Sequence, residues 1–338
     1  MARSQLPDYI ANSPGSPVYA ATIGVDDLDR SVDFYQRFIG LDVVAREPLS
    51  GPAFEAHWQL PRGTTGEMAV LADRCAVGRV ALIRWSAADR VPVRDVAQGQ
   101  RSFGLMNLNF YTQDIEGHTR QLAAAGYRPW SPPVVHDMGE HIGEPIEVMI
   151  DGPDTVILNL IQLQARSPKG RIRETLAYTR DAHGFNRCGL TPVVTMQHCV
   201  RDADRALGFY QRVLKMGIRV DTILHGAEME RFMGYPPGAK TRDTYVHGNH
   251  MFGKIAVNQP LNFPCTDMVG RAVPPNVGLI AQSFIVPDLA AALAECANVS
   301  AAIYSPAVEC ELPALGRVRS AIVRNPGSGA LQELVERD

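Results

Sequence analysis

The sequence has no long hydrophobic run, no surplus of charge of one sign and no paired cysteines, and each deficit removes a class of protein. Its 338 residues carry 33 Lys plus Arg against 36 Asp plus Glu, a formal net charge of -3. With no basic excess, neither nucleic acid nor an anionic membrane surface is expected as a partner. Apolar stretches such as Val156 to Ile161 fall far short of the roughly 20 residues that span a bilayer. Met1 to Pro17 has no apolar segment of the kind a secretory leader needs, so the expected location is cytoplasmic. Cys75, Cys188, Cys199, Cys265, Cys296 and Cys310 are scattered without a CxxC pair, which argues against a disulfide framework or a zinc knuckle and for small buried side chains. Also missing are a G-x-G-x-x-G turn after a strand, a phosphate loop and a G-x-S-x-G elbow, the marks of nucleotide enzymes and serine hydrolases.

What is present is a repeat. The stretch Val25 to Arg37 returns as Val200 to Arg212, a constant shift of 175, with Phe34-Tyr35-Gln36-Arg37 matched by Phe209-Tyr210-Gln211-Arg212. Weaker copies begin at Gln113-Asp114-Ile115 and Pro287-Asp288-Leu289. Helix-capping aspartates fall at 27, 114, 202 and 288, spaced by 87, 88 and 86 residues, so four like-sized modules follow. Each opens with an alternating strand (Ala20 to Val25, Leu105 to Tyr111, Val194 to Val200, Leu279 to Val286). A capped helix and further strands broken by Gly and Pro come next. Such an order gives α+β layers, and an apolar content of 46% suffices for two cores.

Asp27-Leu28-Asp29-Arg30-Ser31-Val32-Asp33-Phe34-Tyr35 with Ile39-Gly40-Leu41, the Phe209-Tyr210 copy, and the closing runs Asp151-Gly152-Pro153-Asp154…Leu158-Asn159-Leu160 and Asn325-Pro326-Gly327…Gln332-Glu333-Leu334 resemble the vicinal oxygen chelate superfamily of glyoxalases, bleomycin resistance proteins and extradiol dioxygenases. The resemblance covers residues 17–163 and 191–337. It implies an α+β fold in which four βαβββ modules pair into two half-barrel domains, each cupping a small molecule. The expected division is residues 1–164, a linker over 165–190, and residues 191–338. In many members a divalent metal chelates two vicinal oxygens of the substrate. Its ligands come from the first strand, seven residues before the capping Asp, and from the closing strand. Those positions carry Ala20, Asn107, Thr195 and Ala281, and Ala81, Asn159, Ala256 and Glu333. Alanine cannot coordinate, and Asn and Thr are poor ligands for a transition ion, so no cofactor is expected. The alternative is iron, manganese or zinc held by displaced ligands from His198, His247, His250 or the loop His136 to Glu144.

Strand alternation sends Asn107, Asn109 and Tyr111 toward the hollow of the first domain, with Asn159 opposite and Thr22 nearby, and sends Met106, Leu108 and Phe110 toward the helices. In the second domain Glu333 is expected to share its hollow with Thr195, Gln197 and Ser283. A carboxyl there has its proton affinity raised by desolvation and can serve as general acid or base. Glu333 and Tyr111 are thus the candidate catalytic residues, and Asn107, Asn109, Asn159, Thr195, Gln197 and Ser283 the candidate substrate-binding residues. His198 is expected on the helix-facing side as a structural residue. Trp58, Trp85 and Trp130 are expected in the core, and Glu55 and His57 on a half-exposed strand. The expected ligand is a small aromatic or carbonyl-bearing molecule, and a homodimer is possible. The chemistry expected is that of a lyase, an isomerase or a ring-cleaving enzyme. A metal-dependent dioxygenase and a ligand-sequestering resistance protein are the alternatives.

Overall fold

A computed structural model describes residues 6–95, 101–140, 142–164 and 170–337. A single helical turn, α1 (Asp8–Ala11), precedes the first module: β1 (Val18–Gly24), α2 (Leu28–Phe34), β2 (Asp42–Leu49), α3 (Pro52–Trp58), β3 (Gly66–Ala72) and β4 (Arg79–Trp85). The second comprises β5 (Ser102–Tyr111), α4 (Ile115–Ala124), β6 (Val134–Val135), β7 (Ile146–Asp151) and β8 (Ile157–Gln162). Helix α5 (Gly170–Ala177) follows. The third module is β9 (Thr195–Cys199), α6 (Ala203–Arg212), β10 (Gly217–His225), α7 (Ala227–Met233), β11 (Lys240–His247) and β12 (Lys254–Pro260). After a short β13 (Thr266–Asp267) the fourth consists of β14 (Gly278–Ile285), α8 (Leu289–Asn298), β15 (Ala302–Leu312), β16 (Gly316–Arg324) and β17 (Leu331–Arg337).

All four capping aspartates act as the sequence pattern predicts. Asp27, Asp114, Asp202 and Asp288 accept the backbone N–H three residues on, at 3.0, 2.9, 3.0 and 2.8 Å. Each satisfies a donor that a helix start leaves free. The apolar stripes of α2, α4, α6 and α8, with Phe34, Leu122, Phe209 and Leu289 among them, join Leu71, Leu108, Phe110, Phe284 and Leu334 of both sheets in one continuous core. No helix among the described residues is long and apolar enough to cross a membrane.

The modules do not pair in chain order. β1 runs antiparallel to β14, giving a sheet ordered β15-β16-β17-β14-β1-β4-β3-β2. β5 runs antiparallel to β9, giving a sheet ordered β10-β11-β12-β9-β5-β8-β7-β6, with β13 beside β5. One half-barrel therefore joins the first module to the fourth and the other joins the second to the third, which corrects the division into residues 1–164 and 191–338. An even repeat spacing is blind to this choice, because every module offers the same strand edge for joining.

Three local expectations also change. Residues 165–169 of the expected linker lie outside the described residues, but from Gly170 the chain is helical as far as His183, with Ile172, Thr175 and Tyr178 buried on one side. That spacing of three is a helical stripe hidden in a polar composition. His57 and Glu55 sit on helix α3 rather than on a strand. Pro52 opens that helix, and Phe54, His57 and Trp58 form its buried face. A register shift in β5 between Leu105 and Leu108 turns Met106 away from the helices and against Met149.

Candidate functional site

The sheet of the second and third modules curls around a hollow with about 570 Å³ of empty space, part of it open to solvent. Its wall comprises Asn109 and Tyr111 of β5, Glu147 of β7, Thr195 of β9, Arg219 and Val220 of β10, Tyr245 of β11 and Lys254 of β12. Arg171, Ile172 and Thr175 of α5 close one side, so the expected linker is part of the site. Met138 and Ile142 bring the loop from His136 to Glu144 to its rim; His141 lies outside the described residues.

Three charge-bearing side chains of this wall, Glu147, Arg219 and Lys254, are buried, and Asp243 is buried without lining it. Glu147 accepts Asn159 Nδ2 at 2.7 Å. Burial pushes its carboxyl up from 4.5 to about 7; the Asn159 bond opposes the shift and the Asp243 charge reinforces it. Asp243 on β11 repeats the arrangement, accepting Asn258 Nδ2 at 2.8 Å and Thr241 Oγ1 at 2.6 Å, and burial raises it from 3.8 to about 6. Arg219 is held by neutral groups: it donates to the Tyr9 hydroxyl of α1, to Thr175 Oγ1 at 2.8 Å and to the Arg171 carbonyl at 3.1 Å. The nearest carboxylate to it is the partly exposed Glu174 at 3.8 Å. Lys254 is 3% exposed and donates to the Met251 carbonyl at 2.5 Å, and its ammonium form is strongly disfavoured by burial and by Arg219.

Of the residues singled out in the sequence, Tyr111, Asn109 and Thr195 border this hollow. Asn107 lies behind them, giving Nδ2 to Asn109 Oδ1 at 2.8 Å, and Asn159 is committed to Glu147. Gln197 is buried on β9 but does not border the cavity. Burial holds the Tyr111 phenol well above its usual range, so it stays a hydrogen-bond donor.

Glu333 and Ser283 lie in the other half-barrel, apart from Thr195 and Gln197, because the fourth module pairs with the first. Their hollow, about 370 Å³, is mainly apolar, bordered by Trp58, Met68, Val70, Leu312 and Leu315. Thr22, expected near Asn159, is here as well. Glu333 Oε1 meets His57 Nε2 at 2.8 Å and Oε2 accepts Ser283 Oγ, so both oxygens are already engaged. His57 Nδ1 has no hydrogen-bond partner.

Four further histidines are engaged within the fold. His198 faces the helices, between Tyr210 OH at 2.7 Å and Ser328 Oγ at 2.5 Å, and burial lowers its pKa to about 3. His247 bonds the Gly248 carbonyl at 2.9 Å. His250 faces Tyr178 and Cys75, and His136 packs at a tilt against the Phe232 ring, and burial lowers both to about 4. Trp58 and Trp85 are core residues, whereas Trp130 is half-buried and donates to Asp151 Oδ1 at 2.8 Å.

Paired βαβββ modules around two hollows define the class of protein. Residues 18–156 match the family model Glyoxalase/Bleomycin resistance protein/Dioxygenase superfamily. Glyoxalase I from Zea mays has the same fold at 14% sequence identity, covering 98% of this chain and 95% of that one with a TM-score of 0.59. A mutant of that enzyme matches at 13% identity over 99% and 97%, TM-score 0.61. Among curated proteins no sequence matches significantly. The first and second modules thus match the family model over residues 18–156, and the chain as a whole has the fold of glyoxalase I, with four paired modules.

The donor set does not fit the metal that many members of the superfamily hold. Of the positions where ligands would stand, Ala20 and Ala81 border the hollow of the first and fourth modules, and Thr195 borders that of the second and third. Among the described residues no three His, Cys, Asp or Glu side chains cluster to hold an ion. Glu333, the one carboxylate at a ligand position, is occupied by His57 and Ser283.

The sequence reading missed Glu147, Arg219, Asp243, Lys254 and His57. A signal existed for the first: a lone carboxylate inside the apolar run Ile146 to Ile150 must be buried and partnered.

Proposed function

We propose that the hollow of the second and third modules is an active site for proton transfer, of the lyase or isomerase type, on a small carbonyl-bearing acid, carried out by the chain's own side chains. One juxtaposition carries this reading: a buried, rigidly held cation, Arg219, and a buried carboxyl that titrates near neutrality, Glu147, face the same cavity. Arg219 anchors the ligand carboxylate, a charge-assisted contact strengthened by its burial. Tyr111 donates to the carbonyl oxygen, and Glu147 takes the proton from the adjacent carbon. A base whose pKa lies near the working pH contributes roughly 10²–10⁴-fold to such a transfer.

Exchange of the methyl and methylene protons of pyruvate and phenylpyruvate in D₂O, followed by proton NMR, tests the reading. The protein should speed exchange above the buffer rate, Glu147→Gln should remove the effect, and Glu333→Gln should leave it. A ligand that binds but exchanges only at the buffer rate would point to sequestration instead. Loss of exchange in Glu333→Gln alone would move the chemistry to the other half-barrel.

A further inference from the structure

We propose that Lys254 is a covalent ligand-binding residue whose Nζ forms an imine with the carbonyl group of the bound molecule. The inference deepens the preceding one and rests on the same hollow accepting a carbonyl compound.

The chain has only four lysines, Lys169, Lys215, Lys240 and Lys254, among 33 basic side chains. Lys215 and Lys240 are exposed, whereas Lys254 is buried at the wall of the hollow. Among the described residues no carboxylate forms an ion pair with it. Its one hydrogen-bond partner among the described residues is the Met251 carbonyl at 2.5 Å, and the Tyr111 ring centroid lies 5.6 Å from Nζ. The charged neighbour that acts on it is Arg219, another cation; His247 and His250 are also close enough to sense its charge, and burial keeps both of them neutral. An ammonium so placed has lost its water and gained no counter-ion, so the site favours the free amine. A free primary amine beside a cation in an apolar wall is the arrangement that makes lysine a nucleophile. An arginine, which the chain uses nearly everywhere else, cannot lose its proton. A lysine with only a structural role would be expected to keep its charge and a carboxylate.

The step balances with the groups present. The Nζ lone pair attacks the carbonyl carbon. The former carbonyl oxygen leaves as water with one proton from Nζ and one from the neutral Glu147 carboxyl, and one N–H remains on the resulting iminium. Glu147 is then a carboxylate, able to take the proton from the carbon next to the iminium and give an enamine. Nothing is oxidised or reduced, and water reverses the sequence.

The test is trapping. The full-length protein is incubated at neutral pH with pyruvate or phenylpyruvate and sodium cyanoborohydride, which reduces an iminium to a stable secondary amine. Intact mass and peptide mapping then locate the adduct, while calorimetry without reductant measures binding of the same two acids. The expected result is one adduct per chain on the peptide containing Lys254, with Lys215 and Lys240 labelled at least tenfold more slowly, and no such adduct in Lys254→Met or Lys254→Arg. The mapping is done on the unaltered protein, so a variant that fails to fold does not affect the outcome. Binding without an adduct at Lys254, or labelling spread over the four lysines, would overturn the imine while leaving the hollow as the binding site. Neither binding nor trapping of either acid would overturn both.

Discussion

Replacing Glu147 with Gln should make the protein more stable in alkali and leave its stability in acid unchanged. The carboxyl is raised from 4.5 to about 7 because burial removes the water that would solvate its charge. Below about pH 4.5 it is protonated whether the chain is folded or unfolded, so it contributes no pH dependence. Between 4.5 and about 7 the unfolded chain has released the proton while the folded one keeps it, and stability falls as pH rises. Each tenfold difference in proton affinity is worth about 1.4 kcal/mol, so the folded state carries a cost of about 3 kcal/mol once the group is ionised. Glutamine fills the same space and can still accept from Asn159 through its amide oxygen, so the packing survives. Urea unfolding of both proteins at pH 4.5, 6, 7 and 8.5 is the assay. The two should agree at the lowest pH, diverge through the window and differ by about 3 kcal/mol at pH 8.5. Parallel curves would mean that Glu147 is solvated or paired in solution, and would remove the ground for calling it an acid–base group. Asp243, raised to about 6, shifts stability in the same direction, so Asp243→Asn should flatten the remaining slope.

In the other half-barrel, His57→Ala strands the buried Glu333 carboxylate with Ser283 alone, and should cost about 3 kcal/mol in chemical denaturation without changing the exchange reaction. Gly327→Ala would place a Cβ 2.4 Å from the Asp202 carbonyl oxygen and 2.6 Å from Ala206 Cβ. That overlap should lower stability by about 1–3 kcal/mol, read as a shift of the urea midpoint. Phe209→Ala opens the core common to both sheets and should cost about 3–5 kcal/mol in a single transition. Two separate melting steps in calorimetry would show that the half-barrels do not share that core.

The modules were legible because their signals are local. A capping aspartate must accept the N–H three residues on, and alternation places Thr195 on the hollow face of its strand and Met196 on the helix face, whatever lies further away. His198 could be assigned to the helix side on the same ground. Which module pairs with which was not legible, since β1 could join β5 or β14 with no change in its own pattern. The site was split by that error: Glu333 and Thr195, expected in one hollow, belong to different sheets. The charged residues of the hollow between the second and third modules escaped because each is a single substitution in an otherwise ordinary strand, and they come together only through convergence of β7, β10 and β12 with helix α5. Within β5 the register shift after Leu105 moved Met106 to the opposite face, and alternation alone gives no warning of such an interruption.

On the proposed function, the ligand sits between the second and third modules and is handled there by side chains rather than by a chelated ion. A crystal structure of the protein with phenylpyruvate tests this most directly. The carboxylate is expected at Arg219, the carbonyl carbon within bonding reach of Lys254 Nζ and Glu147 beside the methylene group. Phenylpyruvate in the hollow of Glu333 and His57, or a metal ion bridging its two vicinal oxygens in either half-barrel, would contradict it.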